Sequence, residues 1–163
     1  YCKKKTNFKI KGLVVGDGSE TNKIINYAEG INLTISYMDL NKDCDILFTS
    51  WRSDIENILA ATDISCLTSI NEGTPVSIIE SMASGTACIS TNVGGVSDII
   101  DNRVNGVISE IDLQTYGENL LELIEDITFR NNLAKNGQIK SLKNYNFNVL
   151  VKNTDKLYMS LLD

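Results

Sequence analysis

The sequence predicts an α/β fold, a doubly wound parallel sheet followed by a helical C-terminus. Three observations carry this. Short, β-rich apolar runs alternate with amphipathic helical patterns along the first two thirds of the chain. The runs are apolar throughout rather than alternating, as strands covered on both faces are. Past Asp112 the periodicity is helical only.

The expected strands are Ile10 to Val15, Ile46 to Thr49, Ile64 to Thr68, Ala87 to Ser90 and Asn105 to Ile108. Between them, Asn22 to Glu29 carries Ile24, Ile25 and Ala28 at helical spacing. Asp54 to Ala61 does the same with Ile55, Ile58 and Leu59, behind Ser53 as an N-cap. Pro75 to Ser84 and Val96 to Asp101 complete the alternation. Asp112 can cap a helix to Asp126 whose apolar ridge is Leu113, Tyr116, Leu120, Leu123 and Ile124. Helices near Thr128 to Lys143 and Phe147 to Leu162 follow. Between Ile31 and Asp45 the pattern is ambiguous, and Leu33 to Tyr37 reads as an extra strand or as loop.

The 163 residues suit one domain spanning residues 1–163, long enough to bury a core. Apolar residues at 42% and charged residues at 22% fit a globular chain. No apolar run approaches the roughly 18 residues of a membrane span, and no apolar stretch follows Lys3 to Lys5, so a signal peptide is not expected. The chain opens at Tyr1 without Met, as a piece of a longer protein would. A net charge of −6 and a lone Lys3–Lys5 cluster speak against a nucleic-acid partner. An anionic ligand would have to be held by local groups, against the overall field. Cys2, Cys44, Cys66 and Cys88 form no CxxC pair; Cys66 and Cys88 lie in apolar runs and read as buried, reduced thiols of a cytoplasmic protein. Histidine is absent, which removes Ser-His and Cys-His catalysis and most zinc sites.

The most informative stretch is Asn71-Glu72-Gly73-Thr74-Pro75-Val76-Ser77-Ile78-Ile79-Glu80-Ser81-Met82-Ala83-Ser84-Gly85. Thr74 suits an N-cap, Pro75 the first helical position, and Gly85 a left-handed stop. A helix start after a strand offers unpaired N–H groups and partial positive charge to a phosphate, at the edge of the sheet where ligands bind in this class. Gly73 lets backbone approach a ligand. Glu72 can accept hydrogen bonds from sugar hydroxyls, or from backbone amides. Glu80 stands roughly 8 Å along the axis from Pro75 and can take both hydroxyls of a ribose. Ser77, Glu80 and Ser84 are expected to share the outward face, with Val76, Ile79 and Ala83 against the sheet and Ile78 and Met82 beside them. On spacing alone, a capping Glu72 and a surface Glu80 are the simpler reading.

This stretch resembles the E-x7-E signature of the retaining glycosyltransferases of group 1 (family 4 type), which use nucleotide sugars on a GT-B fold. Further matches are Thr68-Ser69, Ile89 to Gly95, Ile99-Ile100 and Asn105-Gly106-Val107-Ile108. Upstream, Val14 to Glu20 is similar to the family's second strand and turn, and Ile46 to Ile55 to its base-binding strand and loop. The resemblance covers nearly the whole chain. It implies the Rossmann-like C-terminal domain of GT-B, here lacking the first strand. Glu72 would be the catalytic-site carboxylate that orients the donor sugar. Gly73, Thr74, Pro75 and Val76 would meet sugar and diphosphate through their backbone, and Glu80 would hold the ribose. Ser50, Trp51 and Arg52 would flank the base, although the family often has glycine where Ser50 stands. The implied reaction moves a sugar from a nucleotide-diphosphate sugar, UDP-sugar by default, to a glycan or lipid-linked acceptor with retention. It uses no metal or other cofactor, and serves bacterial surface polysaccharide assembly.

The family's basic Arg–Lys pair, placed after its first strand, is not found in this sequence, nor is the N-terminal acceptor domain. The implied consequences are an inactive isolated fragment, an incomplete sheet open to self-association, and, for the full-length protein, a cytoplasmic place at the inner membrane face. A non-catalytic nucleotide-binding module is the alternative. Asp43-Cys44-Asp45 fits the D-x-D metal pattern of another fold but stands without further ligands. Gly16-Asp17-Gly18 begins like a dinucleotide fingerprint, with Thr21 where its third glycine belongs. Gly94-Gly95 reads either as a second helix-start amide site or as a turn.

Overall fold

The computed structural model describes residues 1–39 and 42–162. Their contacts cluster into two compact units, Asn7–Ile55, and Tyr1–Thr6 with Glu56–Asp163.

In the unit of residues 7–55, β1 (Gly12–Val14), α1 (Thr21–Gly30), β2 (Ile35–Tyr37) and β3 (Ile46–Phe48) follow one another. The sheet is parallel with order β1-β3-β2, pairing Gly12 with Ile46 and Ile35 with Ile46. The ambiguous segment therefore does contain a strand, at its edge. Phe48 is the buried anchor of this sheet. The two aspartates around Cys44 are structural: Asp43 pairs with Lys11, and Asp45 accepts from the Thr34 amide (2.8 Å) and hydroxyl (2.9 Å). They tie β3 to its neighbours. After β1 the chain turns at Gly16, with φ +110°. Asp17 accepts from the Gly18 amide and the Thr21 hydroxyl, forming a local turn rather than a dinucleotide loop.

The larger unit begins with a short 3-10 turn, Cys2–Lys4, laid against a later helix. After α2 (Ile55–Ala60) come β4 (Ile64–Leu67), α3 (Val76–Ala83), β5 (Ala87–Thr91), α4 (Val96–Ile99) and β6 (Val107–Ser109). Then α5 (Leu113–Glu125), α6 (Ile127–Asn144) and α7 (Phe147–Ser160) run without further strands. The sheet is parallel, order β4-β5-β6. All five residues of β5 are buried, because both faces of the sheet are covered. On one face Cys88 packs with Ile78 and Met82 of α3 and with Val96, Ile99 and Ile100. On the other, Ile89 and Val107 meet Leu123 of α5 and Leu133 of α6. Alternation along β5 sends neighbours Cys88 and Ile89 to opposite layers. Burial pushes the Cys88 thiol up to about 12, so it stays protonated. Cys66 departs from expectation: it is exposed.

The architecture is thus α/β with parallel sheets and a helical C-terminus. No sheet of more than three strands occurs among the described residues. The helix starts are chemically defined: Asp112 accepts from the Thr115 amide, Asp126 from Phe129 and Asn146 from Val149. The Thr115 N–H also holds the Asp112 carboxyl below the usual carboxylate range. No described helix is long and apolar enough to cross a membrane.

Three described non-glycine residues of the smaller unit, Asn32, Met38 and Ser50, have left-handed φ, and Ser50 is the one among the expected site residues. Ser50, just past β3, has φ +56° and bridges Gly16, whose amide donates to the Ser50 carbonyl at 2.9 Å. A left-handed conformation costs an L-residue about 1–2 kcal/mol. This explains in physical terms why glycine suits the position. Ser50→Gly is expected to leave stability equal or raised by up to about 1 kcal/mol, since glycine's own backbone entropy offsets part of the relief. Ser50→Val is expected to lose more than about 1 kcal/mol. Urea unfolding of the two variants checks this; a valine tolerated as well as glycine would refute it.

Candidate functional site

The glutamate motif lies between the C-terminal end of β4 and α3. It differs from expectation in three details. First, α3 begins at Val76, one residue late: Pro75 takes the cap position with ψ +86°, and Thr74 makes no capping bond. Proline has no N–H to lose there and its ring is buried under the helix start. Second, the fully buried side chains are Ile78, Ser81 and Met82, with Ile79 partly buried against the same layer; Val76 does not belong to this face. Val76 is 58% exposed. The helix also meets α6, whose Ser141 hydroxyl and Gln138 side-chain amide donate to the Ile79 and Ala83 carbonyls at 3.2 Å each. A helix gripped by both a sheet and a second helix buries a wider arc than a single stripe predicts. Third, a serine sits in the buried arc. Ser81 is satisfied by its contacts with the Ser77 carbonyl (2.7 Å) and the Ser65 hydroxyl (2.8 Å). The helix end is as expected: Gly85 has φ +75°, its amide bonds the Met82 carbonyl and that of Thr86 bonds Ser81, a Schellman stop.

These contacts leave Glu80 on the exposed side of α3 and Glu72 half-buried in the loop before it. Gly73 and Thr74 are exposed, and a methyl group on Gly73 would meet nothing within 4 Å. The start of α3 therefore presents its backbone to open space with no side chain bonded across it. The Ile78 and Ile79 amides both turn back to the Pro75 carbonyl, so the outward donors of the tip are those of Val76 and Ser77. Helix-dipole charge adds to them.

The turn after β5 backs this loop. The Thr91 hydroxyl donates to the Ser69 carbonyl at 2.5 Å, and the Gly95 amide to the Gly73 carbonyl at 3.0 Å. A side chain on Gly94 would fall 1.7 Å from the Glu72 carbonyl oxygen. The glycine pair is thus packed against the glutamate loop, a contact across more than twenty residues that no local pattern announces.

The other expected site residues, Ser50, Trp51 and Arg52, belong to the unit of residues 7–55. Trp51 is 80% exposed, an unusual position for an indole. Arg52 is held as a fork by Asp54, at 2.7 Å from Nε and 2.6 Å from Nη2. That pairing fixes the plane of the guanidinium. Among the described residues, no group of three His, Cys, Asp or Glu side chains is placed to hold a metal ion.

The same order of elements occurs in known proteins. A galactosyltransferase of Escherichia coli, UDP-Gal:alpha-D-GlcNAc-diphosphoundecaprenol alpha-1,3-galactosyltransferase, is 31% identical over 147 residues, which is 89% of this chain and 35% of that protein. N-acetyl-alpha-D-glucosaminyl L-malate synthase of Bacillus anthracis is 23% identical over 163 residues, 99% of this chain and 40% of its own length. The chain therefore spans well under half the length of these relatives. Among solved structures, Alr3699/HepE of Anabaena in complex with UDP and glucose superposes with a TM-score of 0.81 at 20% identity, over 98% of this chain and 43% of that one. The C-terminal domain of LpcC from Francisella tularensis gives 0.68 at 24% identity, over 84% and 70%. Residues 2–140 match the family described as glycosyl transferases group 1, and the chain belongs to that family.

Proposed function

We propose that this chain is the donor-binding domain of a retaining glycosyltransferase that takes a nucleotide-diphosphate sugar, with a UDP-sugar as donor. The observation that carries the reading is the open tip of α3, with Glu72 before it and Glu80 on its exposed side. The Val76 and Ser77 amides would receive the diphosphate, and Glu80 the ribose hydroxyls. Glu72 would orient the sugar ring. In the other unit, the exposed indole of Trp51 offers a face for the base, beside the fixed guanidinium of Arg52 and the turn at Ser50. The Anabaena protein crystallised with UDP and with UDP-glucose supports the choice of uridine.

Transfer with retention breaks the bond between the anomeric carbon and the diphosphate oxygen and forms one from that carbon to the acceptor oxygen, whose proton passes to the departing diphosphate. The groups on this chain would act on the leaving diphosphate, through amides aimed where negative charge accumulates, and on the position of the sugar. No metal takes part in this proposal. The acceptor, a glycan or lipid-linked glycan at the cytoplasmic face of a membrane, would be held by residues beyond those of this chain; the Escherichia coli relative named for a lipid-linked acceptor is more than twice as long. The isolated chain would accordingly bind donor without turning it over.

Calorimetry with UDP tests the reading. Binding is expected, equally in the presence of EDTA, and Glu80→Ala is expected to weaken it by about 1.5–3 kcal/mol, roughly 10- to 150-fold. Equal affinity of wild type and variant would remove Glu80 from the site, and loss of binding on chelation would bring a metal into it. Gly73→Ala gives an independent check. The added methyl meets no protein atom, so the melting temperature should stay the same while affinity for a UDP-sugar falls about tenfold through steric exclusion at the ligand. A variant that binds as well as wild type would mean the ligand does not approach this backbone.

A further inference from the structure

We infer that the turn after β5, Thr91 to Gly95, is a positioning clamp for the loop that carries Glu72, an inference that rests on the donor-binding reading above. Parallel pairing of β4 with β5, Leu67 opposite Ser90, sets the two C-terminal loops side by side. The clamp then grips the glutamate loop at two points. At its start the Thr91 hydroxyl, on a residue only 3% exposed, donates to the Ser69 carbonyl. At its end the Gly95 amide donates to the Gly73 carbonyl. Between these points Ile70 and Asn71 lie exposed. The two bonds thus stand where the loop's own side chains supply little packing.

The glycines serve the approach rather than the turn alone. Gly94 has φ +49°, a conformation glycine adopts without strain. Gly95 does not: its φ is −78°, open to any residue. What requires glycine there is contact, since a methyl group would lie 2.4 Å from the Gly73 carbonyl oxygen, below any real carbon–oxygen approach. Val96, fully buried next to it, fixes the turn to the core. The turn can neither retreat nor carry a side chain without moving Glu72 and Gly73. Thr91, Gly94 and Gly95 are positioning residues; none is proposed to touch the donor.

The experiment combines amide hydrogen exchange by NMR with UDP calorimetry on wild type, Thr91→Val, Thr91→Ser and Gly95→Ala. The Gly95 N–H is itself one of the two bonds and reports the clamp directly. Thr91→Val is expected to lower its protection about three- to tenfold, the scale of one neutral hydrogen bond, while α5 and α6 amides keep theirs. UDP affinity should fall by a similar factor. Thr91→Ser should restore both, because the hydroxyl returns. Gly95→Ala should abolish protection at that amide and weaken UDP further. Unchanged Gly95 protection in Thr91→Val overturns the clamp. A loosened clamp with undiminished UDP affinity overturns its positioning role. A wild-type chain that gives no UDP heat sinks the donor reading and the positioning role with it, while the exchange data still decide whether the clamp exists.

Discussion

The burial of α3 against β4 and β5 is the constraint on which the rest of the larger unit depends. Ile78 and Met82 are fully buried and meet Cys88 and Val96 in one apolar layer. A buried side chain of this size contributes about 1.5–3 kcal/mol, so the helix is not free to tilt. Once its body is fixed, its N-terminal end must emerge where β4 ends, and its exposed side must carry Glu80. The candidate site is therefore a by-product of core packing: the same side chains that hide from water aim the helix tip at solvent.

Much of this was legible in the amino-acid sequence because it is local. Strand and helix alternation, the stop at Gly85 and the cap at Asp112 each depend on a few adjacent residues and a known backbone preference. The family pattern was legible for the same reason, in short words such as Glu72-Gly73-Thr74-Pro75. What was not legible is long-range. The inward arc of α3 is only partly readable because Val76, Ile78, Ile79, Met82 and Ala83 are all apolar, and packing on both the sheet and α6 decides which of them are buried. Cys66 reads as buried because its neighbours are apolar, yet it is exposed. The left-handed Ser50 is not marked by its own residue type; only the glycine that the family often has there points to it. Its cause is the pairing with Gly16, thirty-odd residues away.

The acidic character of the chain sharpens the logic of the site. With a net charge of −6, a diphosphate gains nothing from the field of the whole molecule. Dipoles held at short range have to do what charge does elsewhere, and dipoles are effective only when their geometry is fixed beforehand. A loop with few contacts of its own would lose that advantage. Bonds from a neighbouring turn, rooted in the most buried strand, restore it.

Ser81 shows how such geometry is set along the helix axis as well as around it. Apolar contacts resist separation but tolerate sliding, since one methyl group replaces another. A buried hydroxyl does not. Moving α3 by one turn past β4 would part Ser81 from Ser65; Ser81 would keep the Ser77 carbonyl of its own helix, and the loss would be one hydroxyl–hydroxyl bond, about 1 kcal/mol. The pair works as a detent: it adds little to cohesion, yet it selects one axial stop for the helix, and with it the height at which the helix tip meets whatever binds there.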